Sequence, residues 1–531
     1  MAGFLATIRS LFQDEPKEVR TRPRHITANS GVTGGVIFSV GYNGEKNMGE
    51  IGPIKKYWLD HNGLSLRSWQ SYLESEVTQT IIRKFVLWII GQGLKAQSEP
   101  SKEVLKSEKI NLDIQAFSKT VESRFAVFAR SNASDYSKMQ NLNLLASTGF
   151  INTLVGGDVL VILRYQNGSV NVQLVDGCHL CSPLLGNDSQ PQYINNGNRI
   201  QNGIELSPSN EHVAYYVRKK NSLETQRIEA INPINGLRTA YLVPGLRYRL
   251  DNTRSIPVIA PVLETLKKME RYKEATLGSA EERQKIVYAI EHELGSTGDS
   301  PLIQGLAAAF DADATGDLPI TQEGEQLANK VNATTNKQTY NMPIGSHLKS
   351  LESKNELYFK DFYNVNIDLI CASLTIPPNV AMSKYDSNFS ASRAALKEWE
   401  HTINVTRDAF ANAFYQPIYE FWLETEILKN KVSAPGYLKA KNDGNDMVLF
   451  AYRGVRWVGP NVPHIDPKKE VDAERAKLGD AAGAIPLTTV EAATEALNGG
   501  YSSSNMEQFA LELEESKKLK ITAPPNPVVT K

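Results

Sequence analysis

Two short stretches gather residue types that hold ions. "CHLC", Cys178 to Cys181, has the two-residue spacing of half a zinc site, since two thiolates so placed can share one tetrahedral ion. The other half is missing. The only further cysteine is Cys371, no His pair has a three-to-five-residue spacing, and His179 sits between the two thiols. The same residues also read as small apolar groups at a strand end. In "DADATGDLPITQE", Asp311, Asp313, Thr315, Gly316 and Asp317 match the start of a calcium loop, where alternate oxygens surround the ion and Gly makes the turn. The twelfth position is Gln322 where a bidentate Glu is required, and Glu323 comes one residue late. A polar loop is the alternative. A metal-dependent hydrolase or nuclease using Asp311, Asp313 and Asp317 is therefore one class to test.

Other chemistry is absent from the sequence. There is no Gly-rich phosphate loop ending in Gly-Lys-Ser/Thr, no H-E-x-x-H, no G-x-S-x-G and no dinucleotide fingerprint after a strand. No catalytic residue and no cofactor is expected. With 531 residues the chain suggests two to four structural units. Hydrophobic residues at 41% and charged residues at 22% describe an ordinary folded protein. The formal net charge is −1, which disfavours tight general binding of nucleic acid but not a ring through which nucleic acid slides. Three cysteines argue against a disulfide framework. The longest apolar run, Phe85 to Ile90, falls far short of the roughly 20 residues of a membrane span. The expectation is an intracellular, soluble chain with no membrane partner.

The elements follow from periodicity. Residues 1–60 read as an irregular arm with a basic, Pro-containing stretch. Trp69, Leu73, Val77, Ile81, Phe85 and Ile89 step by four and predict one helix over about 64–90, stopped by Gly91 and Gly93. Further helices are predicted from Ile114 to Phe128 and over about 137–154. The period then changes to that of strands over 156–250, with a hairpin turn at Asn167-Gly168. A long helical pattern starts at Pro257, with Val262, Leu266, Met269 and Leu277 apolar and Lys267, Lys268, Arg271 and Lys273 among the charged positions. Residues 291–350 lose periodicity. Helix resumes near 355 and should stop at Pro377-Pro378. The longest helical pattern spans about 390–430, with Pro417 expected to kink it. "MVLFAYRGVRWVG" reads as strands, and short charged helices precede a Pro-rich tail.

Three stretches, taken in order, resemble the lambda type of bacteriophage portal proteins. They are "RSIPVIAPVLETLKKMERYKEATLGSA", then "SLTIPPNVAMSKYDSNFSASRAALKEWE" followed by "YQPIYEFWL", then "HIDPKKEVDAERAKLGDAAGAIPLTTVEAATEALNGG". The family's Arg-rich opening is not evident, and 291–350 matches poorly. The resemblance implies a mixed α+β, predominantly α-helical portal fold. Its parts would be an N-terminal arm (1–60), a wing of helices and a β insert (61–256), a first stem helix (257–290), a clip (291–352) and a second stem helix (353–376). A tunnel loop (377–389), a kinked wing helix with wing strands (390–466), a helical crown (467–515) and a disordered tail (516–531) would follow.

The resemblance also implies function. Such a chain forms a homo-oligomeric ring, usually of twelve subunits, at one vertex of a viral head. Double-stranded DNA passes along its axis. Its partners would be the major capsid protein, a terminase large subunit that hydrolyses ATP, and a head-tail connector or adaptor protein. It would reside in the virion, and in the host cytoplasm during assembly. A head-completion ring that never faces DNA is a further alternative. Within the tunnel loop, Lys384 is the one cation, with Asp386 two residues away. Lys384 would touch phosphates while Tyr385, Ser387 and Asn388 offer neutral hydrogen bonds. Lys267, Lys268, Arg271 and Lys273 would form a charged stem face, or an ordinary solvated helix face paired with Glu264, Glu270 and Glu274.

Overall fold

The structure is a computed structural model. It describes residues 61–166, 168–183, 191–194, 196–219, 224–233, 236–247, 252–285, 359–384, 389–460, 467–479, 485–498 and 502–518, together with four short strands at 39–40, 46–47, 289–292 and 346–349. Two compact units result, one of residues 1–266 with 370–531 and one of residues 267–369.

The larger unit opens with an antiparallel pair, β1 (Ser39–Val40) and β2 (Lys46–Asn47). The single helix expected over 64–90 is two helices, α1 (His61–Glu74) and α2 (Glu76–Ile89). Ser75 between them is extended, as an N-cap residue should be. The break re-phases the inward stripe. Leu73 is 69% exposed, whereas Val77, Ile81, Phe85 and Ile89 are buried. α1 turns His61, Leu64, Ser65 and Ser68 inward instead. Its buried face is largely polar, so an apolar stripe could not reveal it.

The chain continues through β3 (Lys95–Ser98), α3 (Lys102–Ser107), α4 (Ile114–Arg130) and α5 (Leu142–Ile151). Asp113 and Asn141 cap the last two, accepting from Ala116 N at 3.2 Å and Leu144 N at 2.9 Å. The helix expected to reach 154 passes at Asn152–Gly156 into a π turn. β4 (Asp158–Gln166) and β5 (Ser169–Asp176) then form the hairpin expected at Asn167-Gly168, with Gly168 at φ +75°. β6 (Gln192–Tyr193), β7 (Arg199–Gln201), β8 (Ile204–Leu206), β9 (His212–Arg218) and β10 (Thr225–Glu229) make an antiparallel meander. β11 (Ala240–Pro244) returns to pair with β4, giving a three-stranded sheet β11-β4-β5. Leu160 and Ile162 of β4 share a core with Ile204, Leu206 and Tyr215, which joins the two sheets.

The long pattern expected from 257 to 290 is shorter as a helix. Ala260–Val262 is a 3-10 turn, α6 is Leu263–Lys285, and Ala289–His292 is already a strand, β12. Within the smaller unit β12 pairs antiparallel with β13 (Ser346–Lys349), so the two ends of 293–345 are held side by side. The segment between them, with Asp311, Asp313 and Asp317, lies outside the described residues. α7 is Phe359–Ser373, inside the 353–376 expected.

After α8 (Pro378–Ala381), the larger unit is threaded by α9 (Phe389–Leu428), 40 residues long and unbroken at Pro417. Trp399, Ile403, Phe410, Phe414, Ile418 and Phe421 are all buried along it. α10 (Tyr437–Asp443) and α11 (Asp446–Arg453) follow. The stretch expected as strands is thus half helix: Asn445 caps α11 through Val448 N, and Val448, Leu449 and Tyr452 turn inward at helical spacing. Only β14 (Val455–Val458) is a strand, paired with β3. The chain closes with α12 (Pro467–Lys477), α13 (Val490–Asn498) and α14 (Ser502–Lys518). α14 runs past 516, where a disordered tail was expected to begin; residues 519–531 lie outside the described residues. No helix among the described residues is long and apolar enough to cross a membrane.

One ionic cluster is buried in the larger unit. Arg254 Nε donates to Asp158 Oδ2 at 2.9 Å, and its Nη2 donates to Asp158 Oδ1 and, at 2.9 Å, to Gly177 O. His61 Nε2 lies 3.6 Å from Asp158 Oδ2. A Cβ at Gly177 would fall 2.3 Å from Asp158 Oδ1, so only Gly admits this approach. Burial acts to raise the Asp158 pKa, but the charge and hydrogen bonds of Arg254 hold it below its ordinary value. Burial first, then Arg254, lowers the His61 pKa to about 4. His61 is therefore neutral in the native state, while the unfolded chain takes up its proton near the ordinary 6.5.

A pH dependence follows. His61 contributes its full stability above pH 6.5, and this is lost as pH falls toward 4, by about 3 kcal/mol at most. The urea midpoint of the full chain should fall over that window, and His61→Gln should flatten the fall. Identical pH curves for the two chains would refute this role for His61.

Candidate functional site

The segment from Ile370 to Lys384 is built from two helix ends in succession. At the end of α7, Thr375 N donates to Ala372 O at 3.2 Å and Ile376 N to Cys371 O at 3.0 Å. Thr375 sits at φ +54°. That is the Schellman close of a helix, with Thr where Gly is usual. The helix therefore ends at Ser373, before the Pro pair expected to stop it. Pro377 is the N-cap of α8 and Pro378 its first residue, where a missing N–H costs nothing. At the end of α8 the motif repeats: Ser383 N donates to Val380 O at 3.3 Å and Lys384 N to Asn379 O at 3.0 Å, with Ser383 at φ +54°.

This segment is anchored. Leu374, Ile376, Val380 and Ala381 are buried. Lys84 of α2, partly buried, donates through Nζ to Ser383 Oγ at 2.8 Å. Lys384 is exposed. Tyr385, Ser387 and Asn388, expected beside it, lie outside the described residues, as does Asp386. Sequence reading missed Lys84. It is 299 residues away from its partner and sits in an Arg-Lys pair that reads as a solvated helix face.

The basic residues of α6 do not form one face. Lys267, Lys268, Arg271 and Lys273 are all exposed. At roughly 100° per residue, Lys267 and Arg271 lie about 40° apart and Lys268 about 100° from Lys267, while Lys273 is about 120° round on the other side. Glu270, Glu274 and Glu281 fall within about 60° of Lys267. The surface is mixed in sign. Leu277, expected among the apolar positions, is exposed. Within the smaller unit Tyr272 is the contact residue. Its ring stacks on Phe359 at 5.6 Å and 15°, and meets Phe362 at 4.6 Å.

The ion-binding expectations fare differently. Cys181 is buried and Cys178 exposed, so the reading as buried small apolar groups fits Cys181 alone. Burial of the Cys178 sulfur, then the neighbouring Asp176 carboxylate, push its pKa up to about 12. Among the described residues no group of three or more His, Cys, Asp or Glu is placed to hold a metal.

Comparison with known proteins adds the following. Residues 56–407 match the family described as phage portal protein, lambda family. No curated protein matches the chain. Similar solved structures include a chain from the neck of an empty GTA particle, at 10% identity and a TM-score of 0.41, covering 82% of this chain and 93% of that one. A chain from the virion of a native gene transfer agent particle gives 12% identity and a TM-score of 0.41, covering 82% of this chain and 92% of that one. A third, from the neck of a native GTA particle, gives 11% identity and a TM-score of 0.34, covering 76% of this chain and 95% of that one.

The left-handed Thr375 gives a direct test of the anchored segment. A β-branched residue there is strained by about 1 kcal/mol or more. Thr375→Gly should raise the urea midpoint by an amount worth about 1 kcal/mol. Thr375→Val, which keeps the branching, should not raise it. A Gly variant less stable than the parent would show that the Thr side chain supports the turn.

Proposed function

Because the chain belongs to the lambda family of phage portal proteins, we propose that it forms a ring at one vertex of a viral head, the channel through which double-stranded DNA is packaged and released. The observation that carries this reading is the extent of the family match, which runs from before α1 into α9 and takes in both unit boundaries. In this reading α6 and α7 are the stem and the segment between them is the clip. Residues 377–389 are the tunnel loop, α1 to β11 with α9 to β14 are the wing, and α12 to α14 are the crown. The ring has twelve subunits. It docks a terminase large subunit during packaging and a head-tail connector or adaptor protein afterwards, and it is held by the major capsid protein. ATP hydrolysis belongs to the terminase. The chain resides in the virion, and in the host cytoplasm before assembly.

Two physical features suit that role. Large apolar side chains stand out from helices of both units: Val365 and Leu369 on α7, Ile485 and Leu487 before α13, Met506 and Phe509 on α14. Ile485 and Leu487 are 84% and 83% exposed. Apolar surface of this kind is buried when copies associate. The near-neutral chain and the mixed-sign surface of α6 suit a channel that must hold a polyanion without gripping it, because a ring multiplies every phosphate contact by its subunit number.

Negative-stain images of the purified full chain test the proposal, with rings of twelve around a central channel expected. A monomer at micromolar concentration would overturn it. Lys384 is exposed and its side chain contacts no element among the described residues, so Lys384→Ala should leave ring formation intact; failure to assemble would make Lys384 structural.

A further inference from the structure

Lys84 is held in an unusual way. Among the described residues of the larger unit, several lysines pair with carboxylates: Lys397 with Glu400, Lys441 with Glu424, Lys119 with Glu507, Lys219 with Glu224 and Lys477 with Glu474. Lys84 is held by a neutral hydroxyl, Ser383 Oγ at 2.8 Å. A hydroxyl fixes the position of an ammonium without cancelling its charge, and it occupies one of three donors.

The hydroxyl itself is placed at some cost. Ser383 is left-handed at φ +54°, at the position of a Schellman motif where Gly would be unstrained. What Ser offers there and Gly does not is the oxygen that Lys84 uses. The turn is also fixed from below, by buried Val380 and Ala381, and from above, by Lys384 N on Asn379 O. Lys84 of α2 is thus bonded to Ser383, and the exposed Lys384 follows Ser383 directly in the chain.

We propose that Lys84 and Lys384 together form the contact that each subunit offers to a DNA phosphodiester, with Ser383 as the positioning residue that holds Lys84. This rests on the reading of the chain as a DNA channel. The ligand is the backbone of a duplex, met without regard to sequence, since ammonium groups on phosphate oxygens carry no base information.

The test uses rings of the full chain and a linear duplex, with affinity measured against salt. Lys84→Gln should weaken binding and make the dependence of log affinity on log salt shallower, by about 0.9 for each phosphate that is no longer neutralised. Lys384→Gln should do the same, and Lys84→Arg should restore the slope. Ser383→Ala keeps both charges, so it should weaken binding less than Lys84→Gln and leave the slope near that of the parent. Arg83, exposed on the same turn of α2, is the control, and Arg83→Gln should leave the slope unchanged. Acetylation of unaltered rings gives a second measurement, in which duplex should protect both Lys84 and Lys384. The proposal fails if Lys84 is acetylated equally with and without duplex, or if Lys84→Gln keeps the parental slope while Lys384→Gln does not. It fails too if Arg83→Gln lowers the slope as much, since the effect would then be the general field. Rings that take up no duplex at any salt would instead overturn the channel reading, and this contact with it.

Discussion

The burial of α9 is the constraint on which the larger unit depends. Its aromatic side chains reach a different partner at nearly every turn. Trp399 meets Phe85 of α2 at 5.2 Å, Phe410 meets Phe150 of α5 at 4.9 Å, Trp422 meets Phe125 of α4 at 5.1 Å, and Tyr415 meets Trp457 of β14 at 5.0 Å. Such pairs add about 0.5–1.5 kcal/mol each beyond the apolar area they bury. Arg407, also buried, donates to Ile89 O at 3.1 Å and Trp88 O at 2.8 Å, so α9 satisfies carbonyls at the end of α2 that no helical N–H can reach. Packing on this scale explains why Pro417 does not end the helix. The missing hydrogen bond is small beside the packing on either side of it.

The same unit treats its charges in two ways. Several buried carboxylates are matched by an opposite charge, Asp158 by Arg254, Glu205 by Arg227, and Glu424 by Lys441 and Arg453, while buried Arg407 and Asp135 are held by neutral hydrogen-bond partners. A buried charge without a partner would carry a desolvation penalty of several kcal/mol. Among the described residues, the partner of Lys84 is a hydroxyl. The near-zero net charge of the whole chain is therefore a sum over unlike regions. Total charge argues against strong general attraction to a polyanion, while a local cation can still act over about 10 Å at ordinary salt.

Much of the helical plan was legible because apolar residues recur at helical spacing where one face is buried, as in α4 and α9. The β4–β5 hairpin was legible for a local reason too, a turn dipeptide between two apolar runs. Failures came where local pattern and tertiary role part company. α1 buries His61, Ser65 and Ser68, and polar residues facing inward erase the stripe. α11 is a short apolar run, which period alone cannot assign to helix or strand. Pro377-Pro378 was read as a stop, although Pro starts a helix as readily as it ends one. Of the candidate site, Lys384 was singled out from its place in a recognised loop. Lys84 was not, because its role depends on a partner in a distant element.

That difference changes how the loop between α8 and α9 has to work. A loop that contacts DNA through flexible neighbours of Lys384 would need reach. Yet Lys384 is fixed at the end of a Schellman turn, and α9 begins at Phe389. Four residues of sequence separate them. In the proposed channel, the position of this packed base and the charges it carries would govern contact with a duplex. On that argument the two strained residues, Thr375 and Ser383, have a common consequence. Each turns the chain sharply without Gly, so the backbone path from the end of α7 to Lys384 is set by packed structure.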